Sequence, residues 1–177
     1  MQTFVAEKAM VPDSGFPERK KSAMRDVRDA PIDAPILDIV HGLCSFPWCY
    51  TLQSCFGHFV GDTQDDPHSL RTLSTASPST SYLYRIAYVA VCLDECAAGR
   101  DLLARLRRIP DMDPDHVQFG CAEWFWERQV NSFVLQVQPR DRLHLDSMPV
   151  SHDEALRIQT ARDRFFSSLR LLLSART

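Results

Sequence analysis

A short segment in the first half of the chain carries the residue types best suited to chemistry. It reads Ser54-Cys55-Phe56-Gly57-His58. A glycine can adopt positive φ or let a ligand approach the backbone closely, and here a hydroxyl and a titratable imidazole flank it. Cys55 becomes a nucleophile only if its thiol pKa is lowered, and an inert buried thiol is the commoner case. We interpret the segment as a binding element, with His58 as the candidate proton acceptor.

A second constellation has the ligand types of zinc. His41 and Cys44 are spaced as His-x-x-Cys, and Cys55 and His58 as Cys-x-x-His. Imidazole and thiolate both bind zinc in proteins. Residues three apart on a strand face opposite sides, so Cys55 and His58 converge only if Gly57 forms a bulge or turn. The alternative is two buried thiols and two unrelated histidines.

A third candidate is the aromatic run Trp124-Phe125-Trp126, which is followed by Arg128. Aromatic faces and an arginine plane can stack on nucleobases. We expect the run on a strand, with Trp124 and Trp126 on one face and Phe125 on the other. One of these faces should pack against a helix, so part of the run would belong to the core.

The elements before position 82 follow from periodicity and from Gly and Pro. We predict a mobile arm over residues 1–15 and a short helix over 16–29. Pro35 suits the first turn of a helix that ends near Gly42 and Pro47. Residues 48–60 should form one strand, or two pieces broken at Gly57. Residues 61–81 are rich in Asp, Ser, Thr and Pro and predict a long polar loop.

The second half predicts a buried strand over 82–93 and a helix that Asp94 caps and that ends at Ile109. Two strands, 117–126 and 132–138, should form a hairpin. Ser151 and Glu154 have the spacing of a capping box before the last helix. This order of elements predicts a single α/β (α+β-like) domain over 16–177, with helices packed on a mixed sheet, and not a doubly wound parallel sheet.

Composition excludes several classes of protein. The 177 residues are 45% hydrophobic with a net charge of −3, which is typical of a globular domain and not of an indiscriminate nucleic-acid binder. The sequence has neither an apolar run that could span a membrane nor a secretory pattern, so we expect a soluble cytoplasmic protein whose 6 cysteines are reduced. Phosphate-binding loops, GxGxxG, GxSxG and zinc-deaminase motifs are absent.

The order of these pieces resembles the tRNA wybutosine-synthesising methyltransferase family. That family has a helical lead-in, a leucine-rich helix, an aromatic pair and a strand carrying Thr, Ser, Cys and Gly, and Thr51, Ser54, Cys55 and Gly57 fall on this pattern. His58 stands where the family has Arg, and Gln136 stands where it has His. The order of elements is shared from residue 20 to residue 173, but only residues 51–59 are motif-like.

The resemblance implies a divergent S-adenosylmethionine-dependent enzyme that methylates a ring nitrogen of a tricyclic guanine derivative in tRNA. It implies S-adenosylmethionine as the cofactor, tRNA or a nucleoside-type small molecule as the partner, and His58 as the catalytic residue. The substrate-binding residues would be Ser54, Cys55, Gly57, Trp124, Trp126, Arg128 and Gln136. This interpretation assigns no metal ligand. Two alternatives stay open: a non-catalytic ligand- or RNA-binding module on the same fold, and a structural zinc protein that uses His41, Cys44, Cys55 and His58.

Overall fold

The computed structural model describes residues 4–61, 66–70 and 81–175. The helices are α1 (Phe16–Asp29), α2 (Leu37–Cys44), α3 (Ala97–Leu106), α4 (Glu123–Arg128) and α5 (His152–Ser174). The strands are β1 (Phe4–Val5), β2 (Cys49–Cys55), β3 (His58–Val60), β4 (Ser81–Arg85), β5 (Ala87–Leu93), β6 (Val117–Ala122), β7 (Ser132–Val137) and β8 (Ser147–Ser151). Short 3-10 turns cover Ala34–Ile36, Ile109–Met112 and Arg140–Arg142.

The described strands form two sheets. One has five strands in the order β1-β6-β7-β5-β2, and the other has three in the order β3-β4-β8. Each of these neighbouring pairs is antiparallel. The predicted α/β class, with helices packed on sheet, is confirmed, but the predicted mixed sheet is wrong, because the described strands form two antiparallel sheets. The chain passes between the two sheets three times: directly from β2 to β3, directly from β4 to β5, and through residues 138–146 from β7 to β8.

The two direct crossings, from β2 to β3 and from β4 to β5, lie side by side. The first is the Phe56–Gly57 step between β2 and β3, where Gly57 has φ +88°. The second is Ile86, which separates β4 from β5 and donates its backbone N–H to the carbonyl oxygen of Asp146 at 3.2 Å. A Cβ on Gly57 would lie 2.8 Å from the Cβ of Ala87, so the two crossings pack closely against each other. The single strand predicted over 82–93 is therefore wrong, whereas the break predicted at Gly57 is confirmed.

The faces of the large sheet are covered differently. One face, which includes Val89 and Leu135, belongs to the main core together with residues of α3 and α5. On the opposite face, Cys92 packs with residues of α1 and α2. Farther along that face, Phe125 of α4 covers Ala90. Tyr88 lies on the same face as Ala90, at the end of β5 nearest the crossings, and it is only half-buried.

Three local predictions need correction. Residues 124–126 are helical and not extended, because α4 packs its single buried residue, Phe125, onto the sheet. The connection between β6 and β7 therefore contains a helix, although the two strands do pair. Cys96 and not Asp94 caps α3, since its sulfur accepts the backbone N–H of Gly99 at 3.4 Å.

The predicted N-terminal arm also makes specific contacts. The sequence predicts a mobile arm over residues 1–15, but β1 pairs with β6, and the backbone N–H of Val11 donates to the side-chain oxygen of Asn131 at 2.8 Å. Several backbone groups of residues 4–11 thus find partners that no local pattern reveals, while residues 1–3 lie outside the described part of the chain. Of the predicted loop 61–81, residues 62–65 and 71–80 lie outside the described residues.

The remaining helices follow their sequence signals. The bounds of α1 are those predicted, and Pro17 lies in its first turn. The helix predicted after Pro35 begins with a 3-10 turn and continues as α2. The hydroxyl of Ser151 accepts the backbone N–H of Glu154 at 3.3 Å, so Ser151 is the N-cap of α5. Among the described helices, none combines the length and the apolar character that a bilayer crossing needs.

Candidate functional site

A cleft of about 420 Å³ opens where the two sheets meet. Its lining residues are Cys55, Arg85, Ile86, Tyr88, Asp146 and Ser147. They come from the end of β2, from the second crossing with both of its flanking strands, and from the start of β8. The cleft therefore lies at the two direct crossings, where β2 ends and where β4 passes into β5.

Two cross-strand rows contribute to the walls, and each row extends beyond the lining at one end. On the large sheet, Cys55 lies opposite Tyr88, and Tyr88 lies opposite Gln136. On the small sheet, His58 lies opposite Arg85, and Arg85 lies opposite Ser147. Directly opposed residues share a face of an antiparallel sheet. The first row thus brings a thiol and a phenol to the cleft, with the amide of Gln136 beyond them, and the second brings a guanidinium and a hydroxyl, with the imidazole of His58 beside them.

Burial keeps the thiol and the phenol of the lining in their neutral forms. Burial raises the pKa of the Cys55 thiol, so Cys55 is not an activated nucleophile. Burial also raises the pKa of Tyr88 to about 12, and its hydroxyl donates to the side-chain oxygen of Gln53 at 3.1 Å. Arg85 and Asp146 are exposed and of opposite charge. The cleft can therefore bind both an anionic and a cationic group while offering a neutral aromatic surface.

His58 lies beside the cleft and in contact with a carboxylate. Its Nε2 is 3.7 Å from Oδ1 of Asp33, and its Nδ1 is 3.9 Å from the sulfur of Cys55. Burial lowers the pKa of His58 below its usual 6.5, and the opposing effect of the Asp33 carboxylate is smaller. The imidazole is therefore neutral at pH 7, and it keeps one nitrogen lone pair for a proton or a metal ion.

Asp33 and His68 complete a cluster around His58. The two imidazole rings lie 4.7 Å apart between centroids. Within the described residues, the group formed by Asp33, His58 and His68 has the side-chain types and spacing to hold a metal ion, since its ligand atoms lie within 4.8 Å of one another. The cluster lies beside the first crossing, because the backbone N–H of Phe56 donates to Oδ2 of Asp33 at 2.7 Å.

The zinc set predicted from spacing is not assembled. His41 is exposed on α2, whereas Cys44 is buried and its sulfur lies 3.3 Å from the hydroxyl of Thr51. Cys55 and His58 do approach each other, as the Gly57 turn allows. Helix α2 points Cys44 into the core beneath β2 and not toward the cleft, so the prediction of a four-residue His/Cys site is wrong.

Two further predicted residues occupy different places. Ser54 lies opposite Val89, a core residue, so it is on the face of β2 opposite to that of Cys55. The backbone of the Ser54–His58 segment reaches the cleft, but the hydroxyl of Ser54 does not share the wall of Cys55. Gln136 lies in that wall beyond Tyr88, where it is 3% exposed, and its amide donates to the side-chain oxygen of Gln138 at 2.8 Å.

The aromatic run forms a separate surface on α4. Trp124 is 40% exposed, and the guanidinium carbon of Arg128 lies 3.8 Å from the centroid of its ring. Trp126 instead packs edge-on against Phe133 at 5.9 Å. As far as the described residues show, neither tryptophan nor Arg128 belongs to the lining of the cleft. Their predicted place in one common site with Cys55 and His58 is not supported, because a helix has replaced the expected strand.

Sequence reasoning missed several residues of the site. Asp33, His68, Arg85 and Asp146 come from four different segments, and none stands in a motif with Cys55 or His58. Asp33 lies between Pro31 and Pro35, and His68 lies within the polar loop. A single polar residue outside any motif does not reveal in the sequence that it belongs to a site. These segments come together only in the tertiary structure.

Comparison with known proteins adds a likeness in structure alone. No family model matches the chain, and no curated protein matches it. A structure of the PH1069 protein from Pyrococcus horikoshii is 15% identical, with a TM-score of 0.49 over 91% of this chain and 93% of that chain. A second, of the PH1069 protein from Pyrococcus horikoshii OT3, is 16% identical, with a TM-score of 0.47 over 92% and 93%.

Proposed function

We propose that the chain binds S-adenosylmethionine in the cleft between the two sheets and methylates a ring nitrogen of a nucleoside, of the kind found in tRNA. One observation carries the proposal: the Ser54–His58 segment, on which the family resemblance depends, forms the turn at one wall of the cleft, and its Cys55 is a lining residue. The segment that is motif-like in sequence and the concave site in space are thus the same part of the molecule.

The chemistry of the lining fits such a ligand. The Arg85 guanidinium can form paired hydrogen bonds with the carboxylate of the methionine moiety. Asp146 can accept hydrogen bonds from its ammonium group or from the ribose hydroxyls, and the Tyr88 ring offers a surface for the purine. The volume of about 420 Å³ falls in the range of roughly 300–1,000 Å³ that is usual for small-molecule sites.

The reaction requires little covalent chemistry from the protein itself. When bound, S-adenosylmethionine supplies a methyl group on a sulfonium, and the lone pair of the ring nitrogen forms the new N–C bond as the C–S pair returns to sulfur. The contribution of the cleft is to hold the two reactants in line, which is a large part of the rate in such reactions. The step requires neither the protonated Cys55 thiol nor a protein base, so the catalytic role predicted for His58 stays a separate prediction.

The test is S-adenosylmethionine titration by calorimetry, followed by transfer of a labelled methyl group to tRNA. Arg85→Met and Asp146→Asn should each weaken binding about tenfold or more, since each removes a charge-assisted hydrogen bond worth ~1.5–3 kcal/mol. Arg157→Met and Asp141→Asn are the matched controls, because both residues are exposed and lie outside the cleft lining.

The outcomes of the titration and the transfer assay distinguish an enzyme, a ligand-binding module and a chain that does not bind S-adenosylmethionine. Binding that depends on Arg85 and Asp146, together with methyl transfer, supports the proposal. Binding without transfer to any tRNA fraction favours the ligand-binding module and overturns the enzymatic part. Absence of binding in the wild-type protein overturns the proposal as a whole.

A further inference from the structure

Three side chains beside the cleft converge without forming an ordinary hydrogen-bonded network. Nε2 of His58 and Oδ1 of Asp33 are 3.7 Å apart, which is beyond hydrogen-bond length. Nδ1 of His68 is buried and has no hydrogen-bond partner among the described residues. A buried polar atom without a partner is costly, and a bound ion is one of the ordinary explanations for such an atom.

We propose that Asp33, His58 and His68 bind one Zn²⁺ ion, with a fourth coordination position left for water or a substrate. The ligand atoms lie within 4.8 Å of one another, and two imidazoles with one carboxylate are a donor set that Zn²⁺ accepts. Bonds of about 2.0–2.2 Å to a shared ion require only a modest closing of the cluster. The site does not depend on the proposed methyl transfer and can be measured without S-adenosylmethionine.

The ligands are held by contacts outside the cluster. Oδ2 of Asp33 accepts the backbone N–H of Phe56 at 2.7 Å, which leaves Oδ1 for the ion. A proton on Nδ1 of His58 can be donated to the sulfur of Cys55, 3.9 Å away, which leaves the lone pair of Nε2 directed toward Asp33. Such outer contacts orient metal-binding histidines and carboxylates in known sites.

His68 lies on a segment that two contacts tie to the domain. The carbonyl oxygen of Pro67 accepts the backbone N–H of Phe59 at 2.8 Å, so residues 66–70 lie alongside β3. On the other side of His68, the backbone N–H of Leu70 donates to the side-chain oxygen of Gln159 in α5 at 2.6 Å. The unpartnered Nδ1 of His68 is thus placed near His58 by backbone contacts, and we assign it as the third ligand atom.

The ligand set of Asp33, His58 and His68 contains no sulfur, whereas the His/Cys set that spacing predicts does, so metal binding can distinguish the two sets. After removal of metal with a chelator under reducing conditions, the protein is titrated with Zn²⁺ against a competing dye and, separately, with Co²⁺. We expect one Zn²⁺ per chain and a Co²⁺ spectrum without the intense charge-transfer bands of thiolate ligands, since no sulfur coordinates.

Single variants identify the ligands. His68→Ala and Asp33→Asn should weaken Zn²⁺ binding more than about 100-fold, because even the loss of an outer contact costs about 10–100-fold. Asp33→Asn keeps an acceptor for the Phe56 N–H, so the fold is retained. His41→Ala is the matched control: it removes an exposed histidine that spacing also predicts as a ligand. Circular dichroism and thermal melting confirm that each variant is folded.

The alternative results are equally clear. Unchanged Zn²⁺ affinity in folded His68→Ala and Asp33→Asn overturns the proposal. Loss of binding in His41→Ala, or strong thiolate bands with Co²⁺, would assign the metal to the His/Cys set and also overturn it. Failure of the wild-type chain to bind Zn²⁺ overturns it directly, whatever the result of the S-adenosylmethionine titration.

Discussion

The guanidinium carbon of Arg162 in α5 lies 4.1 Å from the centroid of the Phe56 ring, at the crossing that shapes the cleft. Arg162 is 2% exposed, and its Nη1 donates to the carbonyl oxygen of Gly57 at 3.5 Å. Its other donors contact the carboxylate of Asp163, which is itself exposed, at 2.9 and 3.0 Å. A buried arginine thus supports the Phe56–Gly57 turn from beneath.

We expect Arg162→Met to lower the free energy of unfolding by about 1–3 kcal/mol, because it removes a desolvated cation–π contact and the bond to Gly57. The loss is limited, since the partner left behind is an exposed carboxylate and not a buried charge. Urea denaturation measures the effect, and Arg164→Met, at an exposed position two residues away, is the control. Equal stability of the two variants would remove Arg162 from its supporting role.

Gly57→Ala should destabilise the fold as well as disturb the cleft. An L-residue at φ +88° costs roughly 1–2 kcal/mol, and the added Cβ would also meet the backbone nitrogen of Ala87 at 3.1 Å. We expect a loss of at least about 2 kcal/mol in urea denaturation. Gly15→Ala is the control, since its new Cβ meets only the flexible end of Arg19. A Gly57→Ala protein as stable as this control contradicts the strained turn.

The part of the fold that the sequence predicts is the part that local signals determine. Pro17 and an amphipathic pattern determine α1, and the Ser151 hydroxyl determines the start of α5. The break at Ile86 gives no local signal, because Tyr84, Ile86 and Tyr88 keep the alternation of a continuous strand and neither Gly nor Pro interrupts it. Residues 124–126 are all aromatic, a composition that also suits a strand. Their helical form goes with the packing of Phe125 on Ala90, which the local sequence does not reveal.

The site was predictable to a similar extent. Gly57 and its neighbours stand out because glycine between a thiol and an imidazole is a recognisable local feature. Asp33 and His68 reach His58 from positions 25 residues before it and 10 residues after it, so their meeting depends on tertiary structure alone. Spacing grouped His58 with His41, Cys44 and Cys55, whereas the structure places Asp33 and His68 around it.

Lys20 offers a test of how α1 is attached to the domain. Its ammonium donates to the carbonyl oxygens of Cys44, Phe46 and Cys49 at 2.9, 2.7 and 2.5 Å. These oxygens lie at and just beyond the end of α2, where helix carbonyls lack partners within the helix and a cation is favoured. One side chain thereby links α1, α2 and the start of β2.

Lys20→Met keeps the aliphatic stem but leaves the three carbonyls without their donor. Hydrogen bonds to a charged group are worth about 1.5–3 kcal/mol each and are not additive, so we expect a loss of about 2–4 kcal/mol in urea denaturation. Lys21→Met is the matched control, because the neighbouring lysine is exposed. If both variants unfold at the same urea concentration as the wild type, the three-carbonyl contact does not stabilise the protein.

The raised pKa of Cys92 predicts how the free energy of unfolding changes at alkaline pH. This residue of β5 is fully buried, and its thiol donates to the carbonyl oxygen of Val130 at 3.4 Å. Burial raises the pKa of Cys92 from 9.0 to about 11, and the effects of the neighbouring Tyr50, Asp13 and Arg19 are smaller. Above pH 9 the unfolded chain therefore releases a proton that the folded chain retains until about pH 11.

The sign of the pH effect follows from this difference. The protonated thiol contributes its full stability below pH 9, and that contribution is lost as pH rises through the window from 9 to about 11. At ~1.4 kcal/mol per pKa unit, the loss is on the order of 2–3 kcal/mol.

Urea denaturation at pH 8, 9.5 and 11 should show a shallower decline for Cys92→Ala than for the wild type. Other groups that ionise on unfolding, such as Tyr50, are present in both proteins, so they contribute to both curves. Val91→Ala controls for the loss of a buried side chain from the same strand and should keep the wild-type slope. Parallel declines in all three proteins would show that Cys92 ionises alike in the folded and unfolded chain, contrary to its burial.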